Sequence, residues 1–192
     1  MTAIGYEATI DADYGPHFEA IGRLVVEFAR ADAYVHLLAE RVSGLGTTKG
    51  MVVFHGMRLP DLVDRIRGLL RLSNFDQASI ADLESCLAQL DVISKQRHKL
   101  AHRFVDTHQE GVSAHSLYTS KTLGSGEVDL FTPAELKAMA EDCYKIRVRI
   151  YRHTDGEGRR KTRSLDKYLF EPWLYKPPRS KAHNKSRHRT SE

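Results

Sequence analysis

The chain has 192 residues, a hydrophobic fraction of 41% and a formal net charge of +4. That length and apolar content suit one domain with a single core and an appendage. No apolar run reaches the roughly 20 residues that a bilayer-spanning helix needs. The start, MTAIGYEATIDADYG, has neither a basic leader nor an apolar core, so no secretory signal is read and a cytoplasmic location is expected.

The charge is unevenly placed. Residues 158–192 hold eleven Lys/Arg against three Asp/Glu, and residues 1–157 hold eighteen Lys/Arg against twenty-two Asp/Glu. A basic segment on a mildly acidic body suits a polyanion, most simply RNA, or else a solvated end with no partner.

In chain order, residues 1–15 lack periodicity. A first helix is predicted from Pro16 to Val42, with Ile21, Leu24, Val25, Phe28, Tyr34, Val35, Leu38 and Val42 in one apolar stripe. Pro16 suits its first turn, and Gly44 and Gly46 end it. SGLGTTKGMVVFHGM reads as a loop containing a short apolar run, Met51 to Phe54; it lacks the spacing of a phosphate-binding loop and no strand precedes it, so nucleotide binding there is rejected. A second helix is expected over 60–72, with Leu62, Val63, Ile66, Leu69 and Leu70 inward. A third runs from about Gln77 to Phe104, capped by Asn74 or Asp76, with Ile80, Leu83, Leu87, Leu90, Ile93, Leu100 and Phe104 as its stripe.

Between 111 and 131, SAHSLYTS and EVDLF are β-leaning and flank Gly124-Ser125-Gly126, which predicts a small hairpin. Thr132-Pro133-Ala134-Glu135 is a capping box with proline at the first helical position. The helix it opens carries Leu136, Met139, Ala140, Cys143, Ile146 and Ile150 inward and fades near His153. Cys86 and Cys143 both fall on apolar helix faces and read as buried thiols rather than a disulfide.

Four amphipathic helices with short connections predict an all-α antiparallel helical bundle of four main helices, with the small β-hairpin before the last. Its expected extent is 1–155. Residues 156–192 read as a basic, largely disordered tail, interrupted by an aromatic island at 168–175 that docks on the body or on a partner.

The chemistry is sought at RHKLAHRF, residues 97–104. Arg97 and His102 lie five positions apart, about 140° around a helix, an angle the long arginine side chain can bridge. Such a pair fits metal-free RNA cleavage, in which the ribose 2′-hydroxyl attacks its own phosphate. An imidazole, titrating ordinarily near 6.5, moves protons. A guanidinium offers paired donors to the charge that gathers on phosphorus-bound oxygens. The products are a 2′,3′-cyclic phosphate and a 5′-hydroxyl. Arg30/His36, Arg103/His108 and Arg147/His153 have similar spacings, so the spacing alone selects nothing. Context separates them: Arg30/His36 is mid-helix, Arg103/His108 runs off a helix end into a loop, Arg147/His153 lies at the frayed end of the last helix, and Arg97/His102 sits in the last turns of the third long helix. Read without that chemistry, Lys95, Arg97, His98, Lys99, His102 and Arg103 are a cationic helix end complementing the helix dipole. His98 and His102, four apart, could share a metal ion, with Asp91 or His108 as a third ligand, but no metal motif is present and no metal or cofactor is assigned.

Arg97-His98-Lys99-Leu100-Ala101-His102, the preceding LAQLDVISKQ, the first-helix segment FARADAYVHLL and the helix order resemble the HEPN superfamily, whose motif is an Arg, four to six residues, then a His. The resemblance covers roughly residues 16–153. It implies a homodimer whose two motifs face a shared cleft, and ribonuclease activity with Arg97 and His102 catalytic. It also implies a role as toxin or phage-defence effector, and for some members a nucleotidyltransferase-type antitoxin as partner. Other members are RNA- or protein-binding modules without catalysis. His98 stands where the family often has Asn, and is read as a polar support or second proton carrier. Asp91, six positions before Arg97, is a candidate to orient it. Lys99 and Arg103 are candidates to bind RNA.

Overall fold

The computed structural model describes residues 15–102, 104–108, 111–115, 128–154, 168 and 171–177. Five helices occur among them: α1 Gly15–Ser43, α2 Thr47–Phe54, α3 Leu59–Leu72, α4 Gln77–His102 and α5 Pro133–Thr154. Three strands, β1 Phe104–His108, β2 Gly111–His115 and β3 Val128–Phe131, lie between α4 and α5. The molecule is all-α in class: a four-helix bundle, α1, α3, α4 and α5, with a small sheet before the last helix. No described helix is long and apolar enough to cross a membrane.

Local chemistry sets the helix ends. Gly44 and Gly46 take φ of 68° and 73°, a conformation that costs a side-chain-bearing residue a steric clash, and α1 stops there. At α4, Asp76 accepts hydrogen bonds from Ser79 N and Ser79 Oγ, both at 2.8 Å, and so is the cap. The capping box of α5 forms as its sequence prescribes. Thr132 N donates to Glu135 Oε2 at 2.9 Å, and Glu135 N donates to Thr132 Oγ1 at 3.2 Å.

The apolar stripes close one core. Leu24, Val35 and Leu38 of α1, Leu62, Ile66 and Leu70 of α3, Leu83, Leu87, Leu90 and Ile93 of α4, and Leu136, Met139, Ile146 and Ile150 of α5 are all fully buried. Cys86 and Cys143 are free thiols inside it, and burial pushes both well above the ordinary thiol range. α1 packs chiefly on α5. α4 runs antiparallel to α5, as the pairs Gln89–Asp142 and Asp82–Arg149 require.

Four details differ from the sequence expectation. The segment after α1 is a helix, not a loop: Gly50 sits so close to Glu40 that a β-carbon would lie 2.6 Å from Glu40 Cγ, and this close approach seats α2 on α1 with Phe54 buried. Val25, assigned to the inner stripe, is 45% exposed, because Leu24 and Phe28 already fill the angle facing the core. Phe104 belongs to β1, not to the third long helix, because the chain there pairs Phe104 with His115 in the sheet. The expected hairpin is present as β2 and β3, Val112 pairing with Phe131, but β1 adds a third strand in the order β1-β2-β3. Its turn at Gly124-Ser125-Gly126 lies outside the described residues, as do 1–14 and 178–192.

The aromatic island docks on the body. Residues 171–177 lie along the groove between α4 and α5, over a row of polar side chains. Asp142, Lys145 and Arg149 of α5 and Gln89 of α4 are all buried. Each finds its partner in that segment's backbone. Leu174 N and Tyr175 N donate to Asp142 at 2.9 Å, and Lys145 Nζ donates to the Pro172 carbonyl at 3.1 Å. Arg149 donates to the carbonyls of Tyr168 and Glu171 while stacking its guanidinium 4.4 Å from the Trp173 ring centroid. Trp173 Nε1 donates to Ser85 Oγ of α4 at 3.1 Å. Four buried polar groups without these partners would be costly, so this strap is part of the fold.

Candidate functional site

A cleft of about 880 Å³ opens where the end of α4 meets the middle of α1 and the start of α3. α4 contributes Asp91, Lys95, Arg97, His98, Lys99 and His102; α1 contributes Val25, Phe28, Ala29 and Asp32. Arg97 and His102 therefore reach the same cavity. Positions 91, 95, 98 and 102 recur at helical spacing and face it directly. Arg97, lying toward the side, gets there by its length, with its guanidinium carbon 5.5 Å from the Phe28 ring centroid. Its Nε–H is buried and has no hydrogen-bond partner among the described residues. His102 and His98 are exposed, their rings 4.4 Å apart between centroids and tilted by 46°.

The supporting residues sort differently from the sequence expectation. Asp91 lines the cleft, but its carboxylate binds Lys95 Nζ at 2.7 Å, so what it positions is Lys95. Lys99 also lines the cleft, yet its ammonium pairs with Asp129 Oδ1 of β3 at 2.7 Å, tying the sheet to α4. Arg103 lies outside the described residues. No three His, Cys, Asp or Glu side chains come together to hold a metal ion among the described residues.

Asp32 is the residue that sequence reasoning passed over. It sits half-buried on α1 and lines the cleft with Arg97. Burial pushes its carboxyl above the ordinary range, while the nearby His36 and Arg97 pull it back down. The available signal was a charged residue at the edge of the α1 stripe, one turn beyond Phe28 and one turn before His36. Only the approach of α4 makes that position part of a cleft.

Asp32 also lines a second cavity of about 680 Å³, walled by α1, α2 and the α2–α3 turn. Ala33, Leu37, Met51, Phe54 and Met57 make it mostly apolar; His36, Glu40, Thr47, His55 and Arg58 line it as well. Ala29, Asp32, Met57 and Arg58 border both cavities, which are therefore adjacent.

Chemically, the first cleft offers two guanidiniums (Arg58 and Arg97), two ammoniums (Lys95 and Lys99) and two exposed imidazoles against the carboxylates of Asp32 and Asp91, a set suited to an anionic ligand and to proton movement near it. Comparison of the chain with protein-family models, with curated proteins and with solved structures gave no match.

Proposed function

We propose that this chain is a metal-independent endoribonuclease of the HEPN type, acting as a homodimer in the manner of a toxin or phage-defence effector. The observation that carries the reading is that Arg97 and His102, separated on their helix, line one open cleft. In the reaction the 2′-oxygen bonds to the adjacent phosphorus and the bond from phosphorus to the 5′-oxygen breaks. An imidazole takes the 2′-hydroxyl proton, and an imidazolium gives a proton to the departing 5′-oxygen. Arg97 neutralises the equatorial oxygens as charge builds on them. His102 is one proton carrier; the second is His98 beside it or His102 of a twofold-related copy.

A second copy has a face to use. Phe18, Val25 and Val26 of α1 and Val52 and Val53 of α2 are exposed. Gly22 of α1, exposed and without a side chain, lets another helix approach this face closely. This face adjoins the cleft.

The test is a labelled RNA incubated with the protein in chelator. The proposal expects fragments ending in 2′,3′-cyclic phosphate and 5′-hydroxyl, no cleavage by His102→Ala, and a dimer in sedimentation. RNA left whole by the wild-type protein overturns it. The same cleft also fits a binding module without catalysis, a reading favoured by the pairing of Lys99 with Asp129 and the seating of Arg97 over Phe28. RNA retained but uncut would establish that alternative.

A further inference from the structure

The second cavity has no part in the proton transfers above, yet it shares a wall with the cleft that would hold the scissile phosphate. A nucleotide carries its base within one sugar of its phosphate, so adjacent cavities, one cationic and one apolar, match the two halves of one nucleotide. At about 680 Å³ the second cavity is large enough for a purine. Its apolar walls, with Met51, Phe54 and Met57, suit the faces of a flat heterocycle. Phosphate contacts position RNA, whereas base edges specify it.

Asp32 sets which edge fits. Its carboxylate is half-buried at the shared wall; His36 and Arg97 are near enough to favour its charged form, but among the described residues no direct hydrogen bond is made to it. With no direct protein donor, both oxygens are open to donors from a ligand in the cavity. A carboxylate has two oxygens side by side and is best satisfied by two neighbouring N–H donors. Of the four RNA bases only guanine has two adjacent donors on its Watson–Crick edge, N1–H and the N2 amine, with the O6 acceptor next to them. Arg58, on the same wall, is held by Asp61, to which its Nε donates at 3.2 Å, and its terminal N–H groups are the donors for that acceptor. We propose that the cavity between α1 and α2 is a guanine-binding subsite, with Asp32 as its specificity-determining residue.

The proposal rests on the reading that the neighbouring cleft takes an RNA phosphate, but its test does not depend on cleavage. Calorimetric titration of the wild-type protein with 3′-nucleoside monophosphates, which have no bond to cut, compares GMP, inosine monophosphate, AMP, CMP and UMP. The expected order is 3′-GMP tightest, by about ten-fold or more over AMP, CMP and UMP, with the inosine nucleotide between them because it lacks only the N2 amine. Asp32→Asn reduces the guanine preference to less than about two-fold. Equal affinity for the five nucleotides, or a guanine preference that survives Asp32→Asn in a folded variant, overturns the subsite. Guanine binding without any RNA cleavage leaves the subsite standing and sinks the nuclease reading; cleavage without base preference does the reverse.

Discussion

Gln89 of α4 donates its side-chain amide to Asp142 of α5 at 2.9 Å and to the carbonyl of Tyr175 at 3.0 Å, so one buried amide joins two helices to the strap that crosses them. The strap runs opposite to α5. Glu171 meets Arg149, Pro172 meets Lys145, and Leu174 and Tyr175 meet Asp142. Tyr175 thus arrives near the start of α5. Its hydroxyl is pushed above the ordinary tyrosine range by burial and, further, by the carboxylates of Glu135 and Asp129.

Removing Asp142 would leave two backbone N–H groups, the Gln89 amide and the Lys145 ammonium under-satisfied in the interior. Asp142→Ala should destabilise the fold by about 3–5 kcal/mol, measured as a lower urea midpoint with unchanged slope. Ending the chain after Thr154 should be worse, because Arg149 and Lys145 lose their backbone acceptors together. A cooperative transition at the full-length midpoint in that shortened chain would contradict the role given to the strap.

Arg97→Lys keeps the charge but not the forked donors. RNA cleavage should fall about a hundred-fold, the order expected when a transition-state donor is lost. Stability should change by less than about 1 kcal/mol, since the lost contact with Phe28 is a single stacking interaction. Single-turnover cleavage and thermal melting read the two quantities separately.

The raised carboxyl of Asp32 makes stability depend on pH in a definite direction. A group whose folded pKa is raised contributes stability below its unfolded value and loses it as pH rises through the folded one. Asp32→Asn removes that loss. Relative to the wild type, the variant should therefore gain in melting temperature as pH is raised from about 4 to about 6, above the ordinary aspartate value near 3.9. A difference that is flat across this range, or that falls, would contradict the burial described for Asp32.

At the start of α5, Thr132→Ala deletes the hydroxyl that accepts from Glu135 N and donates to Glu135 Oε2 at 3.0 Å. The expected cost is about 1 kcal/mol. It should appear in chemical denaturation without loss of RNA cleavage, because the cap lies in none of the walls described for the two cavities.

Much of this molecule is written in local pattern. Helical periodicity placed Leu83, Leu87, Leu90 and Ile93 on one inner face, and Leu136, Met139, Ile146 and Ile150 on another, because a helix repeats every 3.6 residues whatever surrounds it. The box at Thr132-Pro133-Ala134-Glu135 fixed a helix start by bonds among four successive residues. Such features need no distant partner. The spacing of Arg97 and His102 was equally legible, but three other Arg/His pairs have similar spacings, and only the packing of α1 and α3 against α4 puts this pair in a cleft. Tertiary structure also decided that Asp32 borders two cavities, that Lys99 is held by Asp129, and that Trp173 and Tyr175 cover Gln89 and Asp142. Those relationships join residues 30 to nearly 90 positions apart, and sequence period carries no information about which faces meet across such distances.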